Sequence, residues 1–97
     1  MRLISLKKSQ KPGKKFDVVL ADDSGKEHTV SFGAAGYSDY TIHKDPTRRE
    51  RYLLRHKARE DWTRSGILTP GFWSRWLLWN LPTLEASLAD VRRRFQL

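Results

Sequence analysis

The chain has 97 residues, of which 38% are hydrophobic and 31% charged, and its formal net charge at pH 7 is +8. This length allows one domain, and the aromatic content is that of a folded chain, which excludes disorder of the whole protein. The absence of cysteine excludes disulfides, cysteine-based zinc sites and thiol nucleophiles, and it fits reducing surroundings.

The first 33 residues have the pattern of a three-stranded antiparallel β-meander. Apolar residues at 3–6 predict a short first strand, and Pro12-Gly13 marks a turn or mobile loop within residues 9–14. Residues 16–21 and 28–32 each alternate apolar side chains with small or polar ones, which is the period of a strand. Asp22 to Lys26 supplies turn residues between them.

The remainder predicts a loop over residues 34–45 and then three helices. Asp45-Pro46 and Thr69-Pro70 both combine a capping residue with proline at the first helical position. We expect helices over 46–61, from Pro70 to about Asn80, and from Pro82 to the C-terminal region. The last helix presents one apolar face made of Leu84, Leu88, Val91 and Phe95. The prediction is a single α+β domain over 1–97, with a meander in 1–33 packed against helices in 46–97.

Basic residues change type along the chain. Residues 1–33 carry seven basic residues, six of them lysine, against four acidic ones, whereas residues 34–97 carry twelve, ten of them arginine, against seven. Arginine can hold a phosphate or carboxylate with two parallel hydrogen bonds and can stack on a ring. The candidate nucleic-acid-binding residues are therefore the arginines of two helices: Arg48, Arg49, Arg51, Arg55, Arg59, Arg92, Arg93 and Arg94. The alternative is that these arginines form a solvated helix surface with Glu50, Glu60 and Asp90 as local partners. The N-terminal lysines, Lys14 and Lys15 among them, could add a mobile electrostatic contact to nucleic acid.

The segments GYSDYTIHKD (36–45) and WSRWLLWN (73–80), with Arg51-Tyr52 and Glu60-Asp61-Trp62 between them, resemble short basic proteins of large DNA viruses of algae and amoebae. The resemblance covers about two-thirds of the chain. It implies a viral or protist origin and a virion-associated protein, and that family brings no activity with it.

A loop before the first helix collects the other candidate functional residues, which are Tyr37, Asp39, Tyr40 and His43. Together with His56, Asp39 and His43 could hold a divalent metal or act as acid and base, as in a small nuclease. Metal sites usually need three or four ligands, and the sequence offers no such cluster, so hydrogen bonding within the loop is the favoured interpretation. We expect no catalytic residue, metal or cofactor.

The four tryptophans are candidates for stacking on unpaired bases, although a domain this small needs most of them in its core. We expect at least three in the core, with Trp73 or Trp79 as the candidates for exposure. Gly33-Ala34-Ala35-Gly36 lacks the lysine and the glycine spacing of nucleotide-binding loops, so it is interpreted as a connection between the sheet and the loop.

These observations favour a non-enzymatic nucleic-acid-binding protein of low sequence specificity that packages or coats DNA. The alternative is a structural or protein-interaction module that docks on an acidic protein surface. The charged N-terminus is unlike a secretion signal, and no apolar run approaches the ~20 residues of a membrane span. We therefore expect the host cytoplasm or nucleus, or the virion interior, as its location. DNA versus RNA and the oligomeric state are left open by the sequence.

Overall fold

A computed structural model describes all 97 residues and confirms the α+β fold that the sequence predicts. The sheet consists of β1 (Arg2–Lys8), β2 (Lys14–Ala21) and β3 (Glu27–Ala34), in the order β1-β2-β3 with both pairs antiparallel. Gly13 and Gly25 lie in the two connections with φ of 83° and 86°, a region that side chains disfavour. The meander is therefore confirmed, with each strand slightly longer than the apolar pattern indicates.

Four α-helices follow: α1 (Tyr40–His43), α2 (Pro46–His56), α3 (Pro70–Trp73) and α4 (Leu84–Phe95). A 3₁₀ turn spans Arg64–Gly66, and a π-helical turn, Ser74–Leu78, continues α3. Each α-helix begins after a residue whose side-chain oxygen accepts a backbone N–H, and these caps are Asp39, Asp45, Thr69 and Thr83. Such caps satisfy donors that the first turn of a helix leaves free.

Three predicted boundaries are wrong. The first predicted helix ends at His56 instead of Asp61: the Lys57 backbone N–H still donates to the Leu53 carbonyl, four residues back, whereas the Arg59 N–H donates to the His56 carbonyl, three residues back. The tighter turn ends the α-helical pattern, and the Trp62 indole N–H then donates to Glu60, two residues earlier, a pair that would not face each other on a helix. The predicted loop over 34–45 contains α1, which Asp39 caps, and the last helix begins at Leu84 because Thr83 caps it.

The core lies between one face of the sheet and the C-terminal helical layer. The sheet contributes Leu3, Val18, Leu20, Val30 and Phe32, and the helical layer contributes Ile67, Phe72, Trp73, Leu77, Leu78, Val91 and Phe95. Burial of each large apolar side chain stabilises the fold by about 1.5–3 kcal/mol. Trp73 is wholly buried and its indole N–H donates to the Ile67 carbonyl at 2.6 Å. The expectation that Trp73 is a candidate for exposure is therefore wrong.

No helix has the length and apolar character needed to cross a membrane.

Candidate functional site

A cleft of about 500 Å³ opens between the end of the sheet, α2 and α3. The chain brings four segments to it: the start of β2, the end of β3 with the loop that follows, one face of α2, and the α3 and π-helical segment. The residues that matter for its chemistry are Lys14, Lys15, Gly33, Tyr37, Asp39, Arg48, Tyr52, Arg55, His56, Glu60, Gly71, Leu78 and Trp79. Clefts of this size are typical of ligand sites.

The face that α2 presents to the cleft follows from helical spacing. Arg48, Tyr52 and Arg55 stand at positions i, i+4 and i+7, which share one side of a helix. Tyr52 is 8% exposed, whereas Arg48 and Arg55 are exposed. The aromatic ring therefore anchors the helix, and the two guanidinium groups flank it at the cleft.

A ladder of four rings forms beside this face. Trp79 stacks on Tyr52 with ring centroids 4.2 Å apart, and Tyr52 stacks on His56 at 4.1 Å. His43 lies on the Trp79 side, with ring centroids 5.3 Å apart. Burial is the main reason that the pKa of Tyr52 is raised, and the negative charge of Glu60 adds to it. The ladder packs α1, α2 and the residue that follows the π-helical turn against one another beside the cleft.

Both carboxylates in the cleft lining already have partners. Asp39 is 2% exposed; its Oδ2 accepts a hydrogen bond from Lys15 Nζ at 2.5 Å, and its Oδ1 accepts from the Thr41 backbone N–H at 2.9 Å. Glu60 accepts from Trp62 and lies 3.0 Å from His56 Nδ1. The side chains of Lys14, Arg48 and Arg55 take part in none of the ion pairs or hydrogen bonds of the structure. Four cations and two carboxylates give the lining a net charge of +2 with neutral histidine.

Two glycines allow the close packing around the cleft. A Cβ on Gly33 would lie 2.9 Å from Leu78 Cδ1, and Gly33 also has a φ of 80°. A Cβ on Gly71 would lie 2.7 Å from the carboxyl carbon of Glu60. Side chains at these positions would displace the floor of the cleft and the carboxylate that orients His56.

A second cationic cluster lies outside the cleft, around Arg75. The Arg75 guanidinium lies over the rings of Trp76 and Trp62, with centroid distances of 4.2 Å and 5.4 Å, and Arg94 lies over the same Trp76 ring at 4.6 Å. Burial first, and the nearby positive charges of Arg49 and Arg94 with it, lower the pKa of Arg75 to about 10. Arg75 is not among the predicted site residues, and the sequence signal for it is its position between Trp73 and Trp76.

The predicted arginines separate into groups. Arg48 and Arg55 line the cleft, whereas Arg51 and Arg59 are exposed outside its lining. Arg49 donates from Nε to the Asn80 carbonyl at 2.9 Å. The remaining three, Arg92, Arg93 and Arg94, are exposed in the last turn of α4, where Arg93 and Arg94 pair with Asp90.

The residues of the predicted functional loop also separate. Tyr37 is 73% exposed at the cleft, and Asp39 is the buried partner of Lys15. Tyr40 lies against the Arg49 guanidinium at 5.7 Å. The Nδ1 atom of His43 accepts from the Asp45 backbone N–H at 2.9 Å, and its buried Nε2 has no hydrogen-bond partner.

The suggested metal or acid–base set does not form a cluster. Asp39, His43 and His56 each bind a different partner, namely Lys15, the Asp45 backbone and Glu60. Across the 97 residues there is no group of three or more histidine, cysteine, aspartate or glutamate side chains that could hold a metal ion. Two residues that shape the cleft, Tyr52 and Trp79, were not predicted from the sequence as members of the site. The sequence also did not indicate that Lys14 and Lys15 are held in place at the start of β2.

Comparison with known proteins adds a family and no activity. No curated protein and no solved structure matches the chain. One family model, described as a family of unknown function (DUF5754), matches residues 4–56, which is more than half of the chain. That segment includes nearly all of the sheet and the whole of α2, and therefore all four cations of the cleft. The chain belongs to this family of unknown function.

Proposed function

We propose that this protein is a non-enzymatic nucleic-acid-binding protein of low sequence specificity and that the cleft is its principal contact. The observation that carries the proposal is the arrangement of Lys14, Arg48 and Arg55. These three cations line one cleft and have no carboxylate partner, although the two carboxylates of the same cleft are both paired. Unpaired cations beside a concave surface favour a polyanionic ligand.

The mechanism of binding is neutralisation of backbone phosphates with release of counterions. Phosphate contacts carry no base identity, which accounts for the low sequence specificity. With three phosphate contacts, the slope of log affinity against log salt concentration should be about −2 to −3. We further propose packaging or coating of viral DNA, inside a virion or an infected cell, as the setting. The support for that setting is the resemblance of the segments between Gly36 and Asn80 to short basic viral proteins.

The test is binding of purified, nuclease-treated protein to labelled DNA and RNA across a salt series, with polyglutamate as competitor. The double variant Arg48→Glu/Arg55→Glu should weaken binding by roughly 100-fold, because two phosphate contacts become two repulsions. Its matched control is Arg51→Glu/Arg59→Glu, which makes the same charge change on exposed residues of the same region outside the cleft. Equal losses in the two variants would contradict a cleft-centred site, and the absence of salt-dependent binding would contradict the function.

A second candidate function is docking on an acidic protein, and one observation favours it. A shallow hollow on another side of α2 is lined by Leu53, Leu54 and Trp62 together with Arg49, Glu50 and Lys57. Leu54 is 71% exposed there, and apolar groups rimmed by cations suit an acidic amphipathic partner. The substitution Leu54→Asp should abolish such docking and leave nucleic-acid affinity nearly unchanged, since Leu54 lies outside the cleft lining.

A further inference from the structure

We infer that the cleft holds an unpaired nucleotide of a single strand, with the base stacked on Tyr37 and its phosphates on Lys14, Arg48 and Arg55. This inference rests on the proposed function and narrows it: the nucleic acid that the cleft coats or packages is single-stranded. It depends on the shape of the cleft, on the one aromatic ring left free beside it, and on the positions of the cations.

The shape of the cleft suits a flexible strand. Proteins that read a duplex usually insert a projecting helix or β-ribbon into a groove. Here the cations line a recess of about 500 Å³ with the sheet on one side and α2 on another. A duplex is convex and keeps its bases stacked inside, so it can place a nucleotide in such a recess only after that nucleotide is unpaired and unstacked. A single strand can turn one nucleotide out of its path and bury it.

Tyr37 supplies the stacking surface. Tyr52 is buried and stacks on both Trp79 and His56, and Trp79 packs against both Tyr52 and His43, so these rings are already engaged. Tyr37 has no ring or guanidinium group packed on it in the structure and is 73% exposed at the cleft. Base–aromatic stacking tolerates any base because every base has a π-face, which fits a site without sequence preference.

The cations are placed to follow a strand through the cleft. Arg48 and Arg55 are two helical turns apart, which corresponds to about 10 Å along the axis of α2. Lys14 lies at the start of β2, on the sheet side of the same cleft. Phosphates on both sides of a recessed base can therefore each meet a cation. Tyr37, which would stack on the base, lies on the loop that follows β3 and lines the same cleft.

The experiment measures the affinity of the full chain for labelled oligo(dT), oligo(U) and a DNA duplex of equal length at one salt concentration and then across a salt series. The variants are Tyr37→Ala, Tyr37→Phe and Ile42→Ala. Ile42 is the matched control because it is 62% exposed and lies outside the cleft lining. Circular dichroism of each variant confirms that it is folded.

We expect the single strands to bind at least about tenfold more tightly than the duplex, and Tyr37→Ala to weaken single-strand binding by roughly tenfold. Tyr37→Phe and Ile42→Ala should leave it unchanged. The slope of log affinity against log salt should be the same in Tyr37→Ala and the natural chain, because that slope reports phosphate contacts. Arg48→Glu/Arg55→Glu should reduce the slope.

Equal or tighter binding of the duplex, or a Tyr37→Ala variant that binds single strands as the natural chain does, would overturn the inference. Salt-dependent binding that Arg48→Glu/Arg55→Glu abolishes would still support the proposed function in that case. If neither the single strands nor the duplex bind at low salt, both proposals are wrong.

Discussion

Trp79 stacks on Tyr52 with ring centroids 4.2 Å apart and ring planes only 2° from parallel. Tyr52 is the one buried residue of α2, and Trp79 follows the π-helical turn directly. This contact, together with the bond from Arg49 Nε to the Asn80 carbonyl, sets the position and the rotation of α2 beside the cleft. Arg48 and Arg55 face the cleft because Tyr52, which lies between them on the same side of the helix, faces Trp79.

The Tyr52 ring should be a large contributor to stability. Tyr52→Ala removes its contacts with Trp79 and His56, and we expect it to lower the free energy of unfolding by about 3 kcal/mol, as for other buried aromatic residues. Leu54→Ala is the control: on the same helix, at a position 71% exposed, it should change that free energy by less than about 0.5 kcal/mol. Urea denaturation measures both, and similar values for the two variants would contradict the anchoring role of Tyr52.

The ion pair between Lys15 and Asp39 should stabilise the fold without binding ligand itself. Lys15→Met leaves the buried Asp39 charge without its partner, and we expect a loss of about 3 kcal/mol in the free energy of unfolding. The adjacent Lys14 has no partner in the structure, so Lys14→Met should change stability by less than about 0.5 kcal/mol and should weaken nucleic-acid binding instead. Thermal denaturation and binding assays on the same two variants test this. If Lys14→Met destabilised the protein more than Lys15→Met, the stabilising role of the Lys15–Asp39 ion pair would be refuted.

Stability at acid pH should depend on Asp90. The Asn80 side chain, which donates to Asp90 Oδ2 at 2.8 Å, is the main cause that lowers the pKa of Asp90, and Arg94 and Arg93 lower it further. Because the native pKa lies below the unfolded value of about 3.9, this carboxylate adds stability above that pH, and the contribution is lost as the pH falls through the native pKa. Asp90→Asn should therefore cost about 2 kcal/mol at neutral pH and less in strong acid.

The control for Asp90→Asn is Glu85→Gln, which removes the same charge from an exposed residue of α4. We expect Glu85→Gln to change the free energy of unfolding by less than about 0.5 kcal/mol at either pH. Urea denaturation at neutral pH and well below pH 4 gives both differences. A gap between Asp90→Asn and the natural chain that does not narrow in acid would refute the assignment.

Gly66, in the 3₁₀ turn, should resist substitution more than a glycine in a connection between strands. A Cβ at this position would lie 2.0 Å from the Asp61 carbonyl oxygen, which belongs to the backbone and cannot rotate away. Gly66→Ala should therefore destabilise the protein by about 3 kcal/mol or more. Gly25→Ala is the comparison, since nothing lies within 4 Å of its Cβ and only the φ of 86° opposes it, at a cost of about 1 kcal/mol. Thermal denaturation decides, and a Gly66→Ala variant as stable as Gly25→Ala would show that the segment adjusts.

The sheet could be predicted because its signal is local. Val18 and Leu20 in β2, and Val30 and Phe32 in β3, alternate with residues of the other face, and all four are buried. The end of α2 could not be predicted in this way. Residues 57–59 remain compatible with a helix by propensity, yet the Arg59 N–H donates to the His56 carbonyl, three residues back, and the helical bonding stops there.

The candidate site could be predicted only in part. The sequence indicates that α2 is rich in arginine, but Arg48, Arg51 and Arg55 have the same chemistry, so composition cannot say which of them face a common surface. That choice follows from the stacking of Tyr52 on Trp79, residues 27 positions apart in the chain. Lys14 and Lys15 looked like part of a mobile basic segment, and β2 instead begins with them.

The π-helical turn fixes the number of residues between α3 and the ring ladder. Within it, the Trp79 backbone N–H donates to the Ser74 carbonyl, five residues earlier, at 3.1 Å. Removing or adding one residue there would rotate the following positions by about 100° around the helix axis and turn Trp79 away from Tyr52. Because the family model ends at residue 56, this prediction concerns relatives whose similarity extends through the turn: those that keep the cleft should vary between Ser74 and Leu78 by substitution, with gaps in their alignments falling on either side.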